Sequence, residues 1–451
     1  AASTAAVYGR VGTHTVEFAT VAAWLVDVIN VLIGGLDRPG GAMFPLAAHA
    51  RPPRPGRPFR TGRWTSRVRR YPEVRGELPV VTLADEIETP GEGRIRGLLT
   101  VAGNPVLSTP DGARLDRALG SLDFMVSVDP YINETTRHAD VILPPPSPLS
   151  RGHYDFAFYQ LSVRNIANYS PPTLSKNGAM DEWEILTRLA LIASGQGAAA
   201  DPAVADAWGI AATVNQAINN PESPISGRDP EEILGRLNRY RGPERILDYL
   251  LRTGPYGDRF GMEPDGLSLA KLADNPHGID LGPLQTRLPG LLTTASGRIE
   301  MAPPPIMEEA ARLADMLEEP PADGLLLVGR RHLRSNNSWM HNLEVLVKGK
   351  ERCTLQMHPD DAGAVGVPDG EEVRVSNLTG SITVRLEVTD DILPGVVSLP
   401  HGWGHDLPGV QLSVAARRPG VNSNLLASTE TTDALSGNAV LNAIPVTVAP
   451  A

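Results

Sequence analysis

The stretch from residue 97 to residue 140 restricts the fold of this chain more than any other part of the sequence. An apolar run at 98–101 stops at a Gly-Asn-Pro turn, residues 103–105, and a helix-like stretch with leucines on one face follows. A second apolar run, residues 124–128, ends at Asp129. A strand, a loop, a helix and a second strand that ends in a carboxylate are the layout of a nucleotide-binding βαβ unit. Because the Gly-x-Gly-x-x-Gly pattern is missing, an ordinary NAD-binding fold is not predicted.

Size and composition are those of a globular protein. The chain has 451 residues, enough for several domains, and its net charge of -11 argues against a general nucleic-acid binder. The one cysteine, Cys353, excludes a disulfide or a four-thiolate zinc or iron–sulfur site within the chain, and it is consistent with a reducing, cytoplasmic location. No membrane span is predicted, because the longest apolar candidate, residues 21–33, is interrupted by Asp27 and Asn30.

The sequence predicts three consecutive parts. Residues 1–195 form an α/β domain, residues 196–322 a mostly helical connecting region and residues 323–451 a β-barrel domain. Apolar spacing, caps and turn residues predict helices over 16–34 and 181–194, a helix from Asp229, strands at 325–328, 372–376 and 381–388, and a small helix at 359–365.

An Arg/Pro-rich loop at 51–75 stands apart within the first domain. It holds nine arginines, five prolines and one acidic residue. Prolines remove backbone donors, so an extended, irregular segment is expected. Two interpretations stay open: a solvated loop, or an electropositive rim that steers an anionic substrate.

Several stretches together resemble the molybdopterin oxidoreductases, the superfamily of formate dehydrogenases, nitrate reductases and dimethyl sulfoxide reductases. The first part contributes WLVDVINVLIGGLDRPGGAMF, then GLLTVAGNP with VDPYINETTRHADVILP. The last part contributes LLLVGRRHLRSNNSWMHN, MHPDDAGAVGVPDGEEVRVSN and LPGVVSLPHGWGH. The order and spacing of these stretches carry the resemblance, which runs from end to end of the chain.

The resemblance implies a Rossmann-like parallel-sheet domain that binds molybdopterin guanine dinucleotide, followed by a C-terminal double-psi β-barrel. It also implies a bis-molybdopterin guanine dinucleotide with Mo or W, two-electron redox chemistry on a small anionic substrate, and no iron–sulfur cluster bound by this chain. The family's Cys-rich segment and its protein ligand to the metal are missing. We therefore expect the C-terminal portion of such an enzyme, inactive alone, with a possible N-terminal iron–sulfur polypeptide or electron-transfer subunit as partner.

Carried over residue by residue, the resemblance implies cofactor-binding residues but no catalytic residue and no metal ligand. In the α/β domain these are Gly103, Asn104, Pro105 and Ser108 around the guanine or phosphate, Asp129 as the acceptor from guanine or ribose, and Thr135 in support. In the barrel they are Arg334 and Ser335 on the loop toward the pterin and its phosphates, with His332, Asn336, Asn337 and Trp339 beside it, and His401, Trp403, His405 and Asn424 on a second pterin-facing edge.

Ordinary structural roles compete with these assignments. Asp129 precedes a proline and could cap a turn, and residues 103–105 could form a plain tight turn. In His401-Gly-Trp-Gly-His405 the glycines oppose the helix that a two-histidine metal site would need, and they fit close backbone approach to a ligand. His332 and His341 could be packed or surface histidines.

Two departures from the family pattern leave other functions open. The chain has residues 44–49, FPLAAH, where formate-type members carry Arg-Gly-Gln-Asn, and Ser150 where the family tends to place a glutamate. The alternatives are a non-catalytic cofactor-binding or assembly module, or an inactive remnant of such an enzyme.

Overall fold

A computed structural model describes residues 3–51, 60–318 and 324–451 of the chain. The strands are β1 Thr61–Thr65, β2 Pro72–Val74, β3 Gly97–Val101, β4 Phe124–Val128, β5 Val141–Ile142, β6 Asn165–Ala167, β7 Ile279–Gly282, β8 Leu325–Arg330, β9 Thr354–Met357, β10 Glu372–Ser376, β11 Ser381–Val388, β12 Val396–Pro400 and β13 Ile444–Pro450. The α-helices are α1 Ala19–Leu32, α2 Leu83–Glu88, α3 Pro105–Ser108, α4 Gly112–Leu119, α5 Glu182–Ala193, α6 Pro202–Ile218, α7 Pro230–Leu237, α8 Gly242–Thr253, α9 Leu269–Ala273, α10 Pro304–Glu318, α11 Glu344–Val347 and α12 Pro359–Val365.

The described residues form two compact units that alternate along the sequence. The barrel unit contains residues 7–29, 60–144 and 300–451, and the helical unit contains residues 3–6, 30–51 and 145–299, apart from the gaps given above. The predicted division into 1–195, 196–322 and 323–451 remains a prediction. Within the described parts of the chain, no helix combines the length and the hydrophobicity needed to cross a bilayer.

A three-stranded parallel sheet lies in the barrel unit, in the order β3-β4-β5. Its first two strands pair from Gly97↔Phe124 to Val101↔Val128, which confirms the strand positions predicted from the apolar runs. Helix α4 begins after Asp111, whose carboxylate accepts from the amide of Arg114, and it buries Leu115 and Leu119 on the face toward the sheet.

Six strands close into a barrel in the order β10-β11-β9-β12-β8-β13. The pairs β11–β9 and β12–β8 are parallel and the other pairs are antiparallel. Alternate residues point inward, so Leu355, Val375 and Val397 are fully buried in one apolar core. The predicted barrel and its small helix α12 are confirmed.

The helical unit packs α5 to α9 around two apolar clusters. Helix α5 begins with a capping box between Asp181 and Glu184, and α7 begins after Asp229 with Pro230 in its first turn. Both helix starts are those predicted from the sequence. A short antiparallel pair, β6–β7, completes this unit.

The expectation of an irregular Arg/Pro-rich segment is wrong where the two strands β1 and β2 form. Residues 52–59 lie outside the described residues, but β1 and β2 form an antiparallel hairpin. Its arginines bind carboxylates: Arg67 Nε lies 3.2 Å from Glu86, and Arg69 Nε lies 2.5 Å from Asp85. These two arginines are therefore neutralised within the barrel unit and do not form an open electropositive rim.

Replacing Leu355 tests the barrel core. Leu355→Ala removes a fully buried side chain, so we expect the free energy of unfolding to fall by about 2–5 kcal/mol. The matched control is Leu378→Ala, because Leu378 is fully exposed and the change should stay within about 0.5 kcal/mol. Urea denaturation followed by circular dichroism measures both variants. Equal losses would contradict the assignment of Leu355 to the core.

Candidate functional site

The loop after β3 begins the candidate site. Ala102 and Gly103 both have positive φ, 53° and 75°, and a Cβ on Gly103 would meet no atom within 4 Å. Pro105 occupies the first turn of α3, where its missing amide hydrogen costs nothing. In the predicted Gly-Asn-Pro turn, Gly103 is therefore exposed at the surface of the loop, and the Asn104 side chain is buried.

A buried polar network surrounds Asn104. Its Nδ2 donates to Glu134 Oε2 at 2.6 Å, and its Oδ1 accepts from the Thr135 hydroxyl at 2.7 Å. Thr135 Oγ1 also accepts from the amide of Val106 at 3.1 Å. These bonds fix the loop after β4 against the loop after β3, which are the two predicted nucleotide-binding loops.

Asp129 lies at the end of β4, as predicted, but its side chain faces inward. It is 2% exposed, and its Oδ1 accepts from the amide of Tyr131 at 2.8 Å. Asn133 Nδ2 lies 3.4 Å from its Oδ2. Burial raises the pKa of this carboxyl. This geometry is the turn cap that was the competing interpretation, and contact with a nucleoside would require the turn to open.

A line of four buried side chains runs from Glu134 to the barrel. Glu134 Oε1 lies 2.9 Å from His405 Nδ1, and His405 Nε2 lies 2.9 Å from His341 Nδ1. His341 Nε2 then lies 2.9 Å from Ser335 Oγ. We refer to Glu134, His405, His341 and Ser335 as the relay.

The imidazoles of His341 and His401 are largely shielded from water. Trp403 stacks on His341 with ring centroids 3.9 Å apart. Burial, and secondarily His405, lowers the pKa of His341 to about 3. Burial, and secondarily Arg331, lowers the pKa of His401 to about 4. Both rings are therefore neutral at pH 7 and can donate through one nitrogen while they accept through the other.

The relay ends at a polar cavity of about 430 Å³. The residues that line it come from the loop after β8 and the start of the segment after β12: Arg331, His332, Leu333, Ser335, Asn336, Asn337, Met340 and His401. Asn336 and Asn337 have positive φ, 41° and 60°, which bends this loop sharply around the cavity. The cavity therefore presents hydroxyl, amide, imidazole and guanidinium groups together.

Not every predicted barrel residue lines this cavity. His332, Ser335, Asn336, Asn337 and His401 do. Arg334 and Trp339 are exposed on the same segment, whereas Trp403 and His405 are buried behind it.

Asn424 binds the protein itself. Its Nδ2 donates to the carbonyl of Leu107 at 2.7 Å, and the side-chain Nδ2 of Asn422 donates to the carbonyl of Val106 at 3.2 Å. The barrel thereby holds α3, which includes Ser108, so this edge serves packing rather than an open pterin-facing surface.

The glycines of the His-Gly-Trp-Gly-His motif also serve packing. A Cβ on Gly402, whose φ is 89°, would lie 2.5 Å from the carbonyl oxygen of Asn337. The sequence predicts a close approach of these glycines to a ligand, but the Gly402 backbone instead approaches the loop of this chain that lines the cavity. His401 lines the cavity, whereas His405 Nδ1 lies 2.9 Å from Glu134, and among the described residues no group of three His, Cys, Asp or Glu side chains could hold a metal ion.

Sequence reasoning missed the centre of the relay. No sequence pattern marks Glu134 as a site residue, and for His341 the sequence allows a packed or surface histidine. Glu134 sits in an ordinary polar turn, and its partner His405 lies 271 residues away, so no local pattern could pair them. The one available signal was its position directly beside Thr135, in a loop that follows a strand end.

The barrel region matches a known domain family. Residues 325–445 match the family described as the molydopterin dinucleotide binding domain. This match supports the molybdopterin dinucleotide predicted as the cofactor.

The wider chain is similar to molybdopterin oxidoreductases. It is 25% identical to biotin sulfoxide reductase of Cereibacter sphaeroides over 84% of this chain and 50% of that protein. It is 24% identical to the F420-dependent formate dehydrogenase subunit alpha of Methanocaldococcus jannaschii, over 74% of this chain and 42% of that protein. It is 25% identical to the assimilatory nitrate reductase catalytic subunit of Bacillus subtilis, over 76% of this chain and 44% of that protein. The chain spans about half the length of these relatives or less, and the resemblance predicted from the sequence is confirmed.

A solved structure supports the fold alone. Acetylene hydratase from Pelobacter acetylenicus superposes with a TM-score of 0.57 at 16% identity, and the match covers 83% of this chain and 47% of that one. The predicted combination of an α/β region with a C-terminal barrel is confirmed at this coarse level.

Removing the Asn424 amide tests the packing role of this side chain. Asn424→Ala leaves the buried carbonyl of Leu107 without its donor, so we expect a loss of about 1–3 kcal/mol in the free energy of unfolding. Hydrogen exchange should accelerate mainly in residues 104–112. Asn275→Ala, at an exposed asparagine bonded to its own helix, is the control and should change little. Unchanged exchange at 104–112 would refute the packing role.

The depressed pKa of His341 predicts a pH dependence of stability. The unfolded chain binds a proton at this imidazole near pH 6.5 and the folded chain only near pH 3, so its stabilising contribution is complete above pH 6.5 and is lost as the pH falls toward 3. Between pH 7 and pH 5, the native chain should lose about 2 kcal/mol more than His341→Phe. Urea titrations at both pH values measure this difference, and equal losses would refute the prediction.

Proposed function

We propose that the barrel unit holds a bis-molybdopterin guanine dinucleotide with Mo or W. The proposal is supported by the match to the molydopterin dinucleotide binding domain and by the similarity to molybdopterin oxidoreductases. The chain would be the cofactor-binding part of an oxidoreductase of the formate dehydrogenase or nitrate reductase type. When bound, the cofactor supplies two-electron redox chemistry at its metal, and the protein supplies binding and orientation.

The polar cavity is the observation that carries this proposal. A pterin edge needs mixed donors and acceptors, and its phosphates need cationic donors. The Ser335 hydroxyl, the Asn336 and Asn337 amides and the Arg331 guanidinium line one cavity within the matched barrel. The chemistry of this donor set fits the group, with exposed Arg334 beside it on the same loop.

The nucleotide end is assigned to the loops after β3 and β4. The finer fold interpretation, a Rossmann-like sheet and a double-psi barrel, is supported by the parallel register of β3-β4-β5 and by the two parallel pairs of the barrel. The exposed Gly103 would lie against the guanine or phosphate, with Pro105 and Ser108 following it. Asp129 would accept from the nucleoside once its turn opens.

A second polypeptide is proposed as the partner of the barrel unit. Parallel sheets are normally covered on both faces, but Leu99, Val101 and Phe124 are 47%, 45% and 51% exposed on one face of this sheet. The relatives include proteins named as alpha subunits of a formate dehydrogenase and of an NADPH-Fe(3+) oxidoreductase. An iron–sulfur or electron-transfer polypeptide is the partner that the proposed reaction needs. The substrate of the complete enzyme would be a small anion.

A non-catalytic cofactor-binding or assembly module is the second candidate. It is favoured by the stretch that replaces Arg-Gly-Gln-Asn, which turns inward within the helical unit. His49 is 5% exposed and its Nδ1 lies 2.9 Å from the Tyr154 hydroxyl. Burial lowers the pKa of His49, so this ring offers no positive charge to an anion at neutral pH.

Cofactor content of the purified chain tests the proposal. The full chain, produced in cells that make molybdopterin guanine dinucleotide, should release guanosine monophosphate and a fluorescent oxidised pterin on acid treatment, together with Mo or W by mass spectrometry. The surface variant Leu378→Ala should release the same amounts. A folded chain free of guanosine monophosphate, pterin and metal would contradict the proposal. Cofactor present without formate or nitrate turnover, even with a copurified partner, would favour the second candidate.

A further inference from the structure

We propose that Glu134, His405 and His341 are positioning residues that hold the Ser335 hydroxyl as a hydrogen-bond donor to an acceptor oxygen of the ligand in the cavity. This inference rests on the proposed function, because it names the chemistry by which the same cavity recognises its ligand. It concerns two residues, Glu134 and His341, that neither the sequence nor the family match assigned a role.

The first step is the charge at the inner end of the relay. The side chains of Glu134 and His405 are both 0% exposed. A buried carboxylate is costly unless it is paired, and the partners that the structure gives Glu134 are the neutral Asn104 amide and His405. In the proposed arrangement the pair is electrically neutral as a whole, with one proton shared between Glu134 Oε1 and His405 Nδ1 and a second hydrogen on His405 Nε2.

The second step is the direction of the remaining bonds. The His405 Nε2 hydrogen is donated to His341 Nδ1, which lies 2.9 Å away. His341 is neutral, so its own hydrogen must then sit on Nε2. From there it is donated to Ser335 Oγ, also 2.9 Å away. Each side chain of the relay therefore donates its hydrogen to the next one, from the Glu134–His405 pair to His341 and from His341 to Ser335 at the cavity.

The third step is what Ser335 offers to a ligand. Its oxygen already accepts from His341, so its hydrogen is free to be donated, and Ser335 lines the cavity. On the same loop, Asn337 Oδ1 accepts from Arg331 Nη2 at 2.5 Å, which leaves the Asn337 amide hydrogens available. Hydroxyl, amide and guanidinium donors thus converge, and they select an acceptor oxygen, either of a phosphate or of a pterin carbonyl.

Glutamine at position 134 distinguishes this arrangement from its reverse. In Glu134→Gln, the amide oxygen can accept from Asn104 while the amide nitrogen donates to His405 Nδ1, so the outward direction is preserved. If Glu134 were instead ionised and accepted a hydrogen bond from a neutral His405, the same substitution would force the relay to reverse. Glu134→Leu removes the connection in either case.

Ligand binding to the full chain, prepared without cofactor in cells unable to make molybdopterin, tests the inference. The probes are inorganic pyrophosphate and free pterin, measured by calorimetry, and the probe that depends on Ser335 identifies the oxygen recognised. We expect Ser335→Ala, His341→Phe and Glu134→Leu to weaken that binding about tenfold and Glu134→Gln to retain it within about twofold. Ser338→Ala, on the same segment but outside the cavity lining, is the control and should bind like the native chain.

Nitrogen-15 NMR of histidine-labelled protein provides a readout that folding alone would not move. The His341 hydrogen should reside on Nε2 in the native chain and in Glu134→Gln. A hydrogen on Nδ1, a Glu134→Gln variant as weak as Glu134→Leu, or no binding of either probe to the native chain would overturn the inference. A native chain that binds a probe as expected yet never carries cofactor in competent cells would refute the proposed function alone.

Discussion

The buried bond between Glu134 and His405 is the interaction on which the rest of the site depends. It joins the loop after β4 to the segment after β12 across 271 residues of sequence, and both side chains are inaccessible to water. Neither group can be left alone in such a place, since an unpaired buried charge or imidazole costs more than the bond returns. The bond therefore ties the position of the loop after β4 to that of the segment after β12.

Much of the fold could be predicted because its signals are local. The runs at 98–101 and 124–128 are short and mostly apolar, and they become the paired strands β3 and β4. Asp181 and Asp229 mark helix starts because a carboxylate satisfies amide groups within its own turn. The barrel strands β10 and β11 are adjacent in sequence and joined by a tight turn, so their pairing follows from spacing alone.

The remaining features depend on partners that sequence spacing does not reveal. The arginines at 67 and 69 read as a charged, solvated loop, yet their carboxylate partners, Glu86 and Asp85, lie in α2. The family resemblance places Asn424 on a pterin-facing edge, but its side-chain amide donates to the carbonyl of Leu107, 317 residues away. A polar residue in a binding region can serve either the ligand or the protein, and only the position of its partner decides which.

This distinction explains how the cavity can be both polar and well defined. Side chains that contact a ligand lose less entropy on binding if the protein has already fixed them. Here the fixing groups are behind the cavity: Trp403 stacks on His341, and Gly402 lets the Asn337 backbone pack closely. In front, the Ser335 oxygen accepts from His341, and its hydrogen is kept for the ligand. Asn337 Oδ1 accepts from Arg331, and its amide hydrogens are kept for the ligand. A loop held in this way presents a fixed set of donors, and the proposed selectivity for an oxygen acceptor would follow from the buried network rather than from the exposed arginine beside it.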